Sequence, residues 1–156
     1  MQFLTASECA QWLDGRNLVR PTQANSAFTA RIAFPKEAHR LHWFAREIAE
    51  KLPCRERCLM WLEEWGIWDE NLHLYYRLRE SYGDRRLLEE APGHLFLGYE
   101  TEDLATMLQV AMLNGWGGYV LTHMNSVNAF FSHDEYIDLF SDEESLIESL
   151  KAELTR

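Results

Sequence analysis

The sequence predicts an α/β or α+β fold: one domain spanning 1–156, with a mixed sheet of about five strands, a C-terminal antiparallel hairpin and helices over at least one sheet face. Three observations point there. Stretches of alternating apolar and polar residues take turns along the chain with stretches of helical period. The segment Thr101–Leu113 is apolar nearly all round, as a helix lying between other elements has to be. No Pro-, Gly- or Ser-rich linker and no repeat divides the 156 residues, of which 47% are hydrophobic and 13% aromatic, enough to argue against disorder and for one core.

In chain order, 7–13 reads as a short helix with Cys9, Ala10, Trp12 and Leu13 as candidate buried residues and Gly15 as its stop. Residues 27–34 alternate Phe28, Ala30, Ile32 and Phe34 with Thr29, Arg31 and Ala33, the pattern of a half-buried strand, and Pro35 ends it. Residues 36–52 place Leu41, Phe44, Ala45, Ile48 and Leu52 on one helical face. Residues 58–68 form a tryptophan-rich strand region, in which Gly66 permits a bulge. Asp69 caps a helix over 70–82 that Gly83 ends, with Arg77, Arg79, Arg85 and Arg86 around its C-terminal end as partners for acidic groups elsewhere in the chain.

A strand over 94–97 leads into the central helix, where Thr101 is the candidate N-cap and Asn114-Gly115 the left-handed stop. Residues 119–122 then read as a strand, 125–128 as a turn and 129–131 as a returning strand. Ser132-His133-Asp134-Glu135 fits a helix capping box, yet Tyr136, Ile137 and Phe140 are strand formers, so 133–139 is read as continued strand with a short helix as the alternative. Ser141 to Glu144 opens a last helix with Leu146, Ile147, Leu150 and Leu154 on one face. Which strands pair, and in which direction, is not readable from these patterns.

Charge is the most informative bulk property. The net charge is −10, and it is uneven: 13 Lys and Arg stand against 12 Asp and Glu up to Arg86, and 2 against 13 from Leu87 onward. An acidic half speaks against nucleic acid or an anionic membrane as partners, since phosphates are met by Lys and Arg. It suits a basic protein partner, whose approach a negative field speeds, provided the carboxylates are displayed together on one side. Self-association into a homo-oligomer through apolar surface stays open beside it. The N-terminus lacks a basic region followed by an apolar run, so no signal peptide is expected, and no stretch is long and apolar enough to span a membrane. Three cysteines, Cys9, Cys54 and Cys58, are too few and odd for a disulfide scaffold, which points to a reducing compartment and a cytoplasmic location.

No cofactor motif is present: no GxGxxG, P-loop, HExxH, GxSxG or CxxC. Gly115 to Gly118 follows a helix instead of opening one, so it lacks the helix N-terminus that binds phosphate. Cys54 and Cys58, and His39 and His42, fall short of a zinc ligand set, and no metal site or cofactor is expected. The densest polar cluster is His133, Asp134 and Glu135, with Asp138 close behind. A histidine beside carboxylates can do general acid–base work, which makes these three, with His123, the candidate catalytic set of a small hydrolytic or metal-dependent enzyme. The preferred reading is a non-catalytic, immunity- or chaperone-like acidic module. Its candidate partner contacts are Trp65, Trp68, Asp134, Glu135 and Asp138, pairing acidic groups with aromatics of the kind that anchor interfaces.

Overall fold

A computed structural model describes residues 1–54, 56–65, 72–123 and 127–155. Among the described residues, five helices and seven strands follow in the order β1 (Gln2–Leu4), α1 (Ala6–Asp14), β2 (Phe28–Ala33), α2 (Ala38–Lys51), β3 (Arg57–Glu64), α3 (Leu72–Ser81), β4 (Gly93–Leu97), α4 (Thr101–Leu113), β5 (Gly117–Thr122), β6 (Asn128–Ser132), β7 (Tyr136–Ser141) and α5 (Glu144–Leu154). The strands form one sheet, ordered β1-β4-β3-β5-β6-β7-β2. Every pairing in it is antiparallel, so the α+β alternative is the one the chain takes and the expected mixed sheet becomes a purely antiparallel one.

The expectation of about five strands falls short for two local reasons. β1 has only three residues, too few to display a period, and it is fixed by pairing Phe3 opposite His94. The stretch read as one strand over 129–139 is a hairpin: Ser132 pairs with Tyr136 across a three-residue turn, 133–135. Within it the Ser132 hydroxyl accepts from the Asp134 N–H at 3.1 Å. A serine bonding two residues ahead makes a turn, and the same residue types write a helix cap, which is why the sequence pattern was ambiguous. Glu135 takes φ +63°, a left-handed conformation that stops any helix from continuing.

Alternation along the strands decides the layers. Cys58, Met60 and Leu62 of β3 face a core shared with Phe96, Val120, Ala129, Phe131, Ile137 and Leu139, covered by α2, α4 and α5 and by Tyr75 of α3. Leu59 and Trp61 face the other way, where they meet Leu95, Leu121 and the Cys9, Trp12 and Leu13 face of α1. α4 buries Leu104, Ala105, Met107, Leu108, Ala111 and Met112, which is the placement its apolar circumference requires. Its cap is Glu100 and not Thr101, without a side-chain bond. Gly115 at φ +61° and Gly83 at φ +84° end α4 and α3 as expected. α1 is held instead by a reciprocal capping box between Thr5 and Glu8.

Helix α1 covers only the β4-β3-β5 part of the outer face. Over β5, β6 and β7 that face carries half-buried Tyr119, Phe130 and Tyr136; Tyr119 packs at the margin of the α1 cluster, and Val19, Pro21, Asn25 and Ser26 lie beside Asn128 and Phe140. No helix among the described residues is long and apolar enough to cross a membrane.

Candidate functional site

The site grows from the end of the sheet where β3 stops, β5 starts and the β6–β7 hairpin turns. A register irregularity between Leu62 and Glu64 breaks the alternation of β3, so neighbouring carboxylates Glu63 and Glu64 both find partners at this end. Gly117 opposite Glu64 leaves room for it: a Cβ there would stand 2.6 Å from Glu64 Oε2. That oxygen lies 2.7 Å from His133 Nδ1, joining segments 69 residues apart. His133 Nε2 stands 3.5 Å from Asp134 Oδ1. The bond to Glu64 raises the His133 pKa above its ordinary value against the opposing effect of desolvation, with the Asp134 and Glu64 charges adding to the rise. Glu135 completes the turn, and its carbonyl accepts from the Phe34 N–H at 2.8 Å, tying the tip to the end of β2.

The outer face of the sheet continues directly from this cluster. Cross-strand register lines up Trp61, Tyr119, Phe130, Asp138 and Arg31, one from each of five neighbouring strands. Tyr119 and Phe130 rings are 5.0 Å apart and Phe130 and Tyr136 rings 6.5 Å. Both ends of this row hold a guanidinium in the same way. Arg20 sits 3.9 Å from the centre of the Trp61 ring and pairs with Glu63. Arg31 sits 3.6 Å from the centre of the Tyr136 ring and makes a two-pronged bond to Asp138, both contacts 2.7 Å. An aromatic face plus a carboxylate is a cation–π and ion-pair combination suited to arginine.

The sequence-predicted residues divide accordingly. His133, Asp134 and Glu135 are exposed and share one hairpin tip, in a turn and not in a strand, which would have set Asp134 on the face opposite His133 and Glu135. Trp65 follows Glu64 in the chain and is half-buried, packed against the main core. Asp138 is on the same sheet face but buried and occupied by Arg31. Trp68 lies outside the described residues, as do Gly66 and Asp69. His123 is not brought to His133: it follows β5 at the opposite end, roughly 20 Å of strand away. There it bonds Arg16 and Glu56, each at 3.1 Å. The chemistry the sequence left unread is the Tyr119–Phe130–Tyr136 row. Each is an aromatic in a strand, and only register across three strands makes them neighbours.

The acidic half is also divided. Glu100 pairs with the N-terminal ammonium, Glu102 with Arg46, Asp138 with Arg31 and Glu153 with Lys51. Asp142, Glu143, Glu144 and Glu148 gather beyond the far end of β7 and on α5, away from the hairpin tip. The carboxylates therefore do not share one side. The arginines around the C-terminal end of α3 pair with acids of their own stretch: Arg79 and Arg86 with Asp84, and Arg85 with Glu80.

Two further polar groups serve packing. His94 is fully buried, its Nε2 2.7 Å from the Tyr75 hydroxyl, which itself accepts from Arg79 at 3.0 Å. Burial, helped by the Arg79 charge, pushes the His94 pKa down to about 3. The cysteines are free; burial raises the Cys9 thiol to about 12 and pushes Cys58 well up. Among the described residues no group of three or more His, Cys, Asp or Glu is arranged to hold a metal ion. The chain matches no family model, and neither curated proteins nor solved structures provide a match.

Proposed function

We propose that this protein is a non-catalytic recognition module of immunity- or chaperone-like type. It would dock a basic segment of a partner protein on the sheet end formed by Glu63, Glu64, Asp134 and Glu135 and on the aromatic row beside it. One observation carries the reading: the face twice binds its own arginines by ring plus carboxylate, at Trp61–Glu63 and at Tyr136–Asp138, and between these stations lie Tyr119 and Phe130 with Glu64 and Asp134 nearby. A partner's arginine or lysine would find the same two chemistries there. The negative field of the whole chain, net −10, speeds the encounter without specifying the site.

The test is co-purification from the native host at low salt, followed by calorimetric titration of the recovered partner. The partner is expected to be basic, and the Glu64→Gln/Asp134→Asn double variant to bind at least about tenfold more weakly, a loss of roughly 1.4 kcal/mol. A recovered partner that binds wild type and double variant alike overturns the reading.

A hydrolytic reading draws on the His133–Glu64 contact, a histidine held by a carboxylate as a general acid–base would be. It requires His133→Ala to abolish activity on an ester and phosphodiester panel. Under the recognition reading the same variant has no activity to lose and keeps its partner.

A further inference from the structure

The other extreme of the sheet offers a second surface. β2 is the last strand, bonded on one side only, to β7. Phe34 donates to the Glu135 carbonyl at 2.8 Å, which makes these opposite residues a hydrogen-bonded pair. Counting back in twos along an antiparallel ladder, Ile32, Ala30 and Phe28 also bond toward β7, and the N–H and C=O groups of Thr29, Arg31 and Ala33 point away from the sheet. No described residue supplies these outward groups with a backbone partner, and all three residues are exposed.

Beside this edge runs a groove of about 420 Å³ between β2, α2 and the end of α5. Its apolar wall is made by Ile32, Phe44, Leu154 and Trp43, and Trp43 is 58% exposed. A large tryptophan surface left in water beside an open strand edge is what an extended ligand needs: main-chain bonds for affinity and a pocket for alternate side chains. The charges along the groove select the ligand. Arg31 is taken by Asp138 and Glu153 by Lys51. Glu47 lies in the field of Arg46 and Lys51. Arg40 makes no ion pair with any described residue.

We propose that β2 is an acceptor edge for an extended peptide segment of a partner protein, which adds as a further strand, sets an apolar side chain against Trp43 and Phe44 and offers a carboxylate to Arg40. A second copy of this chain is the poorer occupant. Pairing β2 with itself through the outward groups of Thr29, Arg31 and Ala33 centres the two-fold on Arg31 and sets like charges directly opposite each other. This surface adjoins the carboxylate tip through the Phe34–Glu135 bond but opens on the α2 and α5 side of the sheet, and its occupant has the opposite charge to the one proposed there.

The experiment is selection of a phage-displayed library of random linear octapeptides on the full chain, with the best peptide then followed by amide hydrogen exchange and fluorescence anisotropy. Enriched peptides are expected to carry an acidic and a large apolar residue two apart. They are expected to slow exchange at the Thr29, Arg31 and Ala33 amides at least about tenfold, since new main-chain bonds form there. Trp43→Ala, an exposed change that leaves the fold intact, is expected to weaken binding by about tenfold, and Arg40→Glu to reverse the preference for acidic peptides. No enrichment overturns the proposal. So do enriched peptides that leave those three amides unprotected or bind Trp43→Ala equally well, and so does protection that grows with protein concentration alone, which would mean self-pairing.

Discussion

His94 and His133 are the two histidines whose surroundings push in opposite directions, and each has a measurable consequence. His94 in the folded chain has its pKa lowered from 6.5 to about 3, so in the interval between these values the unfolded chain binds the extra proton. Its contribution is fully present above about pH 6.5 and is lost as pH falls toward 3, with a slope of at most about 1.4 kcal/mol per pH unit. Urea midpoints between pH 6.5 and 5 are expected to fall in the wild type. They should fall less steeply in His94→Gln, which keeps a hydrogen-bonding group beside Tyr75 but cannot titrate. The carboxylates held low, Glu8, Asp84 and Glu100, act below their ordinary value and leave this window clear. His133 has the reverse sign: its pKa is raised by Glu64, so what its ion pair contributes is present below 6.5 and fades as pH rises through the elevated value. Fully exposed, it matters for charge and not for stability. Above that pKa the imidazolium no longer offsets Glu64, so affinity for a cationic partner should climb with pH in wild type and stay flat in His133→Gln, as calorimetry between pH 6 and 8.5 would read.

At the level of elements, the β6–β7 hairpin and the β3–β5 pairing carry the site, and each rests on one backbone position. Glu135 holds φ +63° without being glycine or asparagine. Glu135→Gly should remove about 1 kcal/mol of backbone strain and raise the melting temperature by roughly 3 °C while removing a tip carboxylate. Stability and partner affinity would then move in opposite directions, as site residues that strain a fold commonly make them do. Gly118 is the converse. A Cβ there would meet the Trp61 carbonyl oxygen at 2.4 Å, backbone against backbone, between the strands that bring Glu63 and Glu64 to the tip. Gly118→Ala is expected to cost about 2 kcal/mol in chemical denaturation. The same two positions mark how much was legible. The periods of α1, α2, α4, α5, β2 and β4 stand in the residues themselves. The hairpin does not, because its turn uses a left-handed glutamate where glycine or asparagine would have announced it.

For the molecule as a whole the question is whether charge acts as a total or as a place. Neutralising Glu63, Glu64, Asp134 and Glu135, or instead Asp142, Glu143, Glu144 and Glu148, removes the same four charges from a net of −10. If recognition sits at the sheet end, the first set abolishes partner binding through faster dissociation. The second should mainly lower the association rate, by a few-fold at low salt and by little at 0.5 M, where the Debye length is a few Å. Stopped-flow kinetics across a salt series separates the two, and equal losses from both sets would reduce the acidic composition to solubility alone.

What the residues determined unaided is what depends on near neighbours: which segments are helices or strands, the three-residue β1 and the turn at 133–135 excepted, that the Thr101–Leu113 helix lies inside, and that His133, Asp134 and Glu135 stand together. Propensity, period and turn chemistry act over a few residues, so a single chain read in order contains them. Tertiary structure alone decided that all pairings are antiparallel, that His123 and Asp138 leave the polar cluster, and that Glu64 joins it from 69 positions away. It also decided that eight of the 13 carboxylates from Leu87 onward are spent on ion pairs or sent to the far end of β7, and that Trp43 is left in water. Strand register and charge pairing are contests among distant segments, settled by which arrangement buries the most apolar surface with every backbone group bonded, and no local pattern encodes the winner.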